Sequence, residues 1–200
     1  LAFSDDVATG IDGLGAKLWV ADRAGDAWTL RHLYTPTTPE RRADWPVASA
    51  RGSRIAWLLG GNETDRFLVT QDGVRDPAKV PAPGIVASVV AGTYWFSPDL
   101  RRLAYLAGER ATASLRVLAL DDPSAPVMLG ELVPPAGGSV EWVSWSPDGN
   151  AFGYSVWTTR DTSPIPSDLY VTRISGGALE SPRLLGTTLN QANAAFHWEP

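Results

Sequence analysis

Two histidines, His32 and His197, supply every imidazole in the sequence, and there is no cysteine. A serine hydrolase needs its nucleophile on a G-x-S-x-G elbow, a histidine base and an acid that orients the base. No such elbow occurs, so these residues read as non-enzymatic. Zinc shells built from Cys and His are out of reach of this composition. The stretch from Asp5-Asp6 to Asp12-Gly13 gathers carboxylates around a glycine, but it lacks the alternate-residue ligand spacing of a calcium loop. With neither a P-loop nor a G-x-G-x-x-G fingerprint, no metal and no cofactor are expected. Asn62-Glu63-Thr64 is a glycosylation sequon, which matters only in a eukaryotic secretory setting.

Charge narrows the partners. Lys and Arg number 17 against 22 acidic residues, a net −5 with no block of like sign. Nucleic acids and anionic membranes require clustered cations, so neither is expected as a partner. No apolar run approaches the roughly eighteen residues of a membrane-spanning helix, so membrane insertion is not expected either. Apolar residues at 44% place the chain among globular proteins rather than disordered ones. The chain opens Leu1-Ala2-Phe3, with neither Met nor a basic-then-apolar leader, and is expected to be a mature chain or an excised piece.

Whatever these residues do must be held in place by strands. Gly and Pro, 19 and 16 in number, break up any long helical periodicity and leave short apolar or alternating runs at even spacing. Those runs repeat. Residues 94–105 (YWFSPDLRRLAY) align with residues 143–154 (VSWSPDGNAFGY), and a degenerate copy lies at residues 46–57 (PVASARGSRIAW). The aligned serines are Ser49, Ser97 and Ser146, spaced by 48 and 49 residues. Each copy reads as strand, corner, strand. In Ser146-Pro147-Asp148-Gly149 and Ser97-Pro98-Asp99, proline sets φ for a tight turn and aspartate bonds the neighbouring backbone. A third strand follows in each unit, then a turn and a fourth. The second strand has a small centre between bulky flanks at Ala2, Ala56, Ala104 and Gly153, which lets neighbouring sheets approach. The first strand has apolar residues on both faces and is expected to be buried on both.

Four short antiparallel strands per unit of nearly fifty residues describe the blade of a β-propeller. The fold expected is therefore all-β, a propeller of four-stranded antiparallel blades over residues 1–200, with one blade split between the termini. Its units are residues 1–43 with 195–200, 44–91, 92–140 and 141–194. Two closures fit the sequence, a four-bladed ring or part of a larger ring completed by further chain or by a second copy. Bulky residues at the blade interfaces favour the larger ring.

The aromatic-Ser-Pro-Asp-Gly corner followed by a bulky-Ala-aromatic strand resembles the PD40, or TolB-like, branch of WD40-like propeller repeats. The resemblance spans the chain as four units, well kept at Phe96 to Tyr105 and Trp145 to Tyr154, degraded at Ala48 to Trp57 and truncated at Trp198 to Pro200. It implies a scaffold of bacterial envelope proteins, periplasmic or extracellular, or a propeller fused to an α/β-hydrolase peptidase.

In propellers the connections from second to third strand share a rim with the loops that enter each first strand. That rim would carry the candidate partner-binding residues Asp12, Asp44, Trp45, Glu141, Trp142, Trp157, Arg160, Asp161 and Asn193. Packing between blades accounts for most of the nine tryptophans. Trp45 and Trp157 border loops and are the expected exceptions. His197 reads as a histidine packed between blades and His32 as solvent-facing. The function expected is a non-catalytic scaffold binding a protein partner. The alternative is the substrate-gating propeller of a prolyl-oligopeptidase-like serine peptidase with its catalytic domain outside this chain.

Overall fold

The computed structural model describes residues 2–5, 17–24, 26–34, 43–49, 54–59, 67–69, 78–83, 93–109, 113–135, 138–157, 166–188 and 198. Among these residues there are strands and turns and no helix. The chain divides into two compact units, residues 1–82 with 122–125 and residues 83–121 with 126–200.

The first unit holds two sheets. One runs β1 (Ala2–Asp5), β2 (Lys17–Ala24), β3 (Ala27–Tyr34), and the other β4 (Ala43–Ala48), β5 (Ile55–Leu59), β6 (Phe67–Val69), β7 (Ala78–Val80), with sequence neighbours paired antiparallel. Ile55, Ala56, Trp57, Val69 and Val80 are buried there.

The second unit repeats the plan. Its third sheet is β8 (Tyr94–Phe96), β9 (Arg102–Ala107), β10 (Ser114–Ala119) and β11 (Val127–Leu132). Its fourth is β12 (Ser139–Trp145), β13 (Ala151–Trp157) and β14 (Ser167–Ser175), with β14 pairing both the short β15 (Ala178–Leu179) and β16 (Arg183–Thr188). The two sheets share one core. Ala104, Leu106, Leu115 and Val117 from the third pack with Val143, Trp145, Phe152, Tyr154 and Val156 from the fourth. The Trp145 and Phe152 rings lie 4.8 Å apart between centroids, and Tyr154 stacks on Tyr170 at 5.2 Å. Small second-strand centres serve this packing: Ala104 is fully buried opposite Trp95, and Gly153 is buried between Phe152 and Tyr154.

The corners between first and second strands close in the same way in all three copies. The serine N–H donates to the carbonyl five residues on, at 3.0 Å for Ser49–Arg54, 3.0 Å for Ser97–Arg102 and 2.9 Å for Ser146–Ala151. The N–H of that same residue returns to the serine Oγ at 3.1, 2.9 and 2.9 Å. In the two Ser-Pro-Asp corners the hydroxyl also donates to the aspartate, Asp99 or Asp148, at 2.6 Å. The degenerate copy has neither Pro nor Asp at the matching positions, yet its serine makes both main-chain links.

The first strands depart from burial on both faces. Val47 and Trp142 are 42% and 50% exposed. Each first strand is an edge strand of its sheet, and the ladders shift register between Asp44 and Val47 and between Val140 and Trp142. Such a bulge re-aims side chains, here away from the packed face.

Leu100 stands where the other corner has Gly149, and both take the left-handed conformation, at φ +55° and +70°. That conformation costs a non-glycine residue about 1–2 kcal/mol, whereas emptying a buried leucine site costs about 2–5 kcal/mol. Leu100 is fully buried, so burial outweighs backbone strain. Leu100→Gly is expected to lose about 1–3 kcal/mol of stability in urea unfolding, the leucine term less the strain relieved. A gain in stability would show that strain dominates.

The Asp148 carboxyl is held below the usual carboxylate range, first by the Ser146 hydroxyl and then by the backbone N–H and side-chain amide of Asn150. A folded-state pKa below the unfolded one makes this contribution full above the unfolded value and lost as pH falls through the folded value. The stability gap between the native chain and Asp148→Ala is therefore expected to be widest near neutrality and to close as pH drops through about 4 and below. Urea midpoints across that range measure it, and a pH-independent gap would contradict it.

Candidate functional site

The predicted rim is described most fully at the start of β12. Glu141 and Trp142, expected in the loop entering the first strand, lie inside the strand at its bulge, since Val140 pairs with Val156 and Trp142 with Ser155 while Glu141 has no opposite partner. Asp44 and Trp45 likewise fall within β4 at its register shift. The reason is the same in both: a bulge breaks the apolar alternation, so the sequence reads as a loop where the backbone is still paired. Trp157 is the last residue of β13 and pairs with Ser139. The side chains of Asp44 and Trp45, and the whole of Asp12, Arg160, Asp161, His197 and Asn193, lie outside the described residues, as does the side chain of His32 in β3.

The chain turns sharply into this strand. The Gly138 N–H donates to the Pro135 carbonyl at 2.8 Å. A Cβ on Gly138 would stand 2.8 Å from Val156 Cγ1 and 3.0 Å from that carbonyl oxygen, so only glycine fits without a shift. Beyond it the buried Ser139 hydroxyl donates to Glu141 Oε1 at 2.8 Å and fixes the carboxylate at the bulge. Trp142 is half exposed beside it, Trp157 is partly buried, and Val133 on the approaching segment is 77% exposed. The rim therefore presents one anchored acceptor and an open indole. That suits packing an apolar side chain against the indole while the carboxylate accepts a hydrogen bond from an N–H or O–H group beside it.

A second polar cluster ties the third sheet to the segment before it. Tyr105 Oη and Arg116 Nη1 both donate to the Pro83 carbonyl, at 3.1 and 2.8 Å. Arg116 Nε meets Glu131 Oε1 at 3.2 Å, and Ser114 Oγ bonds the same oxygen. Glu131 is held below its ordinary range, chiefly by the Ser114 hydroxyl, and burial pushes the Tyr105 phenol up. Each of these side chains is engaged in holding the sheet to that segment. Among the described residues no group of three or more His, Asp and Glu side chains could hold a metal ion.

These sheets make the chain a β-propeller, and solved structures of that fold superpose on it. A prolyl endopeptidase matches over 88% of this chain and 27% of its own length, with TM-score 0.56 and 17% identity. The tricorn protease matches over 82% of this chain and 16% of its own, with TM-score 0.56 and 12% identity. A post-proline cleaving enzyme from Rickettsia typhi matches over 94% and 26%, with TM-score 0.51 and 9% identity. The chain thus spans about a quarter or less of the length of these proteins. No protein-family model and no curated protein matches the sequence.

The tight turn into the rim is open to test. Gly138→Ala is expected to destabilise by about 1–3 kcal/mol, as crowding a packed site does, and to perturb the near-ultraviolet circular dichroism of the neighbouring tryptophans. An unchanged urea midpoint would mean that the turn yields at no cost.

Proposed function

We propose that this chain is a non-catalytic propeller that binds a protein partner through the rim carrying Glu141, Trp142 and Trp157. The observation behind it is the half-exposed Trp142 beside a carboxylate fixed by a buried serine. Large indoles are costly to leave in water and are concentrated where proteins meet. The Ser-Pro-Asp corners favour the TolB-like branch of repeats, and with it a bacterial envelope setting.

A second reading has its own support. The three superposed proteins cited above are a prolyl endopeptidase, the tricorn protease and a post-proline cleaving enzyme, each much longer than this chain. On that reading the propeller gates substrate for a peptidase domain encoded beyond these residues, and the rim meets peptide rather than a stable partner. A G-x-S-x-G elbow in the flanking gene sequence would decide for it.

Binding of an array of short peptides to the immobilised chain tests the rim on either reading. Trp142→Ala is expected to weaken the bound set by about tenfold or more, as loss of an interface hot spot does, with the urea midpoint unchanged. A bound set indifferent to both Trp142→Ala and Glu141→Gln would remove the rim from the function.

A further inference from the structure

At the opposite end of β12 from the rim, the fourth sheet borders a cavity of about 610 Å³ walled by Val171, Arg173, Glu180, Arg183, Leu185 and Trp198. A second hollow of about 490 Å³ shares Arg173, Glu180 and Trp198 and reaches the corner at Ser146, Asp148 and Asn150. Strand register explains the pair of arginines. Arg183 lies opposite Val171, and Arg173 is two residues further along the same strand. Both therefore leave the same face of the sheet as diagonal neighbours, about 7–8 Å apart. Neither guanidinium has an ion-pair or hydrogen-bond partner among the described residues.

The third sheet shows how the same face behaves when it is only a packing surface. There Val117 pairs with Gly130 as Val171 pairs with Arg183, and Ala119 takes the place of Arg173. Leu179 of the fourth sheet packs so closely on that face that a Cβ on Gly130 would stand 3.0 Å from it. Where sheets meet, the positions are glycine and alanine; where the cavity lies, they are two arginines, with Glu180 across the strand from Arg173 and no ion pair closed by either arginine among the described residues. Like charges at diagonal positions repel each other, and packing gains nothing from them. A carboxylate between them would relieve that repulsion and accept charge-assisted bonds from both forks. Glu180 in the same wall disfavours a doubly charged phosphate, and Val171, Leu185 and Trp198 offer apolar contact to the carbon chain of the ligand.

We propose that the cavity between Arg173 and Arg183 is a binding site for a peptide carboxylate, separate from the rim. Calorimetric titration of the whole chain would use three probes: acetyl-Glu-Glu-Leu amide, its Gln-Gln analogue, and acetyl-Ala-Ala-Leu with a free C-terminus. Binding of the first assigns the site to acidic side chains, and binding of the third to chain termini; either supports it. The Gln-Gln peptide is expected to bind about tenfold more weakly than a carboxylate peptide, because the charge-assisted bonds to the two guanidinium groups are lost. Arg173→Ala and Arg183→Ala should each weaken the carboxylate peptide about tenfold, and the lysine variants, which keep the charge without the fork, should fall between. Arg101→Ala, whose native guanidinium meets Asp121 at 3.0 Å outside the cavity, should leave it unchanged. The proposal is overturned if neither carboxylate peptide binds, if the Gln-Gln peptide binds equally, if binding survives the double alanine variant, or if Arg101→Ala weakens it as much. Inorganic phosphate binding more tightly than either peptide would overturn it too.

Discussion

A serine at the head of each corner fixes how the rest of the chain can be built. Its main-chain N–H and its hydroxyl oxygen both engage the residue five positions on, so first and second strands are locked in register. A slip of one residue would turn every apolar side chain to the wrong face. With the register fixed, Trp145 and Phe152 meet across the hairpin, and the small centres of the second strands fall where the neighbouring sheet comes close. Ser49, Ser97 and Ser146 are each buried, so a lost hydroxyl there could not be replaced by bulk water.

The third and fourth sheets are further joined by polar groups that reach from one repeat to the next. Arg102 donates to the Gly149 carbonyl and to the Asn150 side chain, both at 2.9 Å, so the second strand of one sheet holds the corner of its neighbour. A Cβ on Gly149 would lie 3.2 Å from Arg102 Nη1 and 3.4 Å from Ser97 Cβ, so glycine there serves the joint as well as the turn. The surface pair of Arg101 and Asp121 adds little by comparison, since exposed ion pairs contribute at most about 1 kcal/mol.

Much of this was legible in the sequence. The spacing of Ser49, Ser97 and Ser146 predicts one corner per sheet, and Ala104 and Gly153 predict where sheets approach. Less legible was which corner residue matters most. Pro and Asp carry the statistical preference for turns, yet the copy at Ser49 lacks both and keeps the serine links, because those bonds run to the main chain and ask nothing of the residues between. Leu100 was readable as an exception but not as a left-handed one, since only burial of its side chain makes that conformation tolerable. Glu141 and Trp142 looked like loop because a bulge interrupts alternation without ending the strand. Arg173 and Arg183 escaped notice for another reason. They lie on the third and fourth strands, away from the corner motif, and only strand register sets them opposite the places that Ala119 and Gly130 hold in the neighbouring sheet.

The indole of Trp145 donates to the main-chain carbonyl of Trp95 at 3.1 Å, and Trp198, at the matching position one repeat later, donates to Ser144 Oγ at 3.3 Å. The first of these acceptors belongs to the backbone, which presents the same carbonyl whatever side chain stands there. A junction made in that way places almost no demand on the sequence of the repeat it joins. A repeat that keeps such a tryptophan finds a main-chain acceptor whatever side chain stands there, while Ala48 and Phe96 at the matching positions show that a repeat can also do without it.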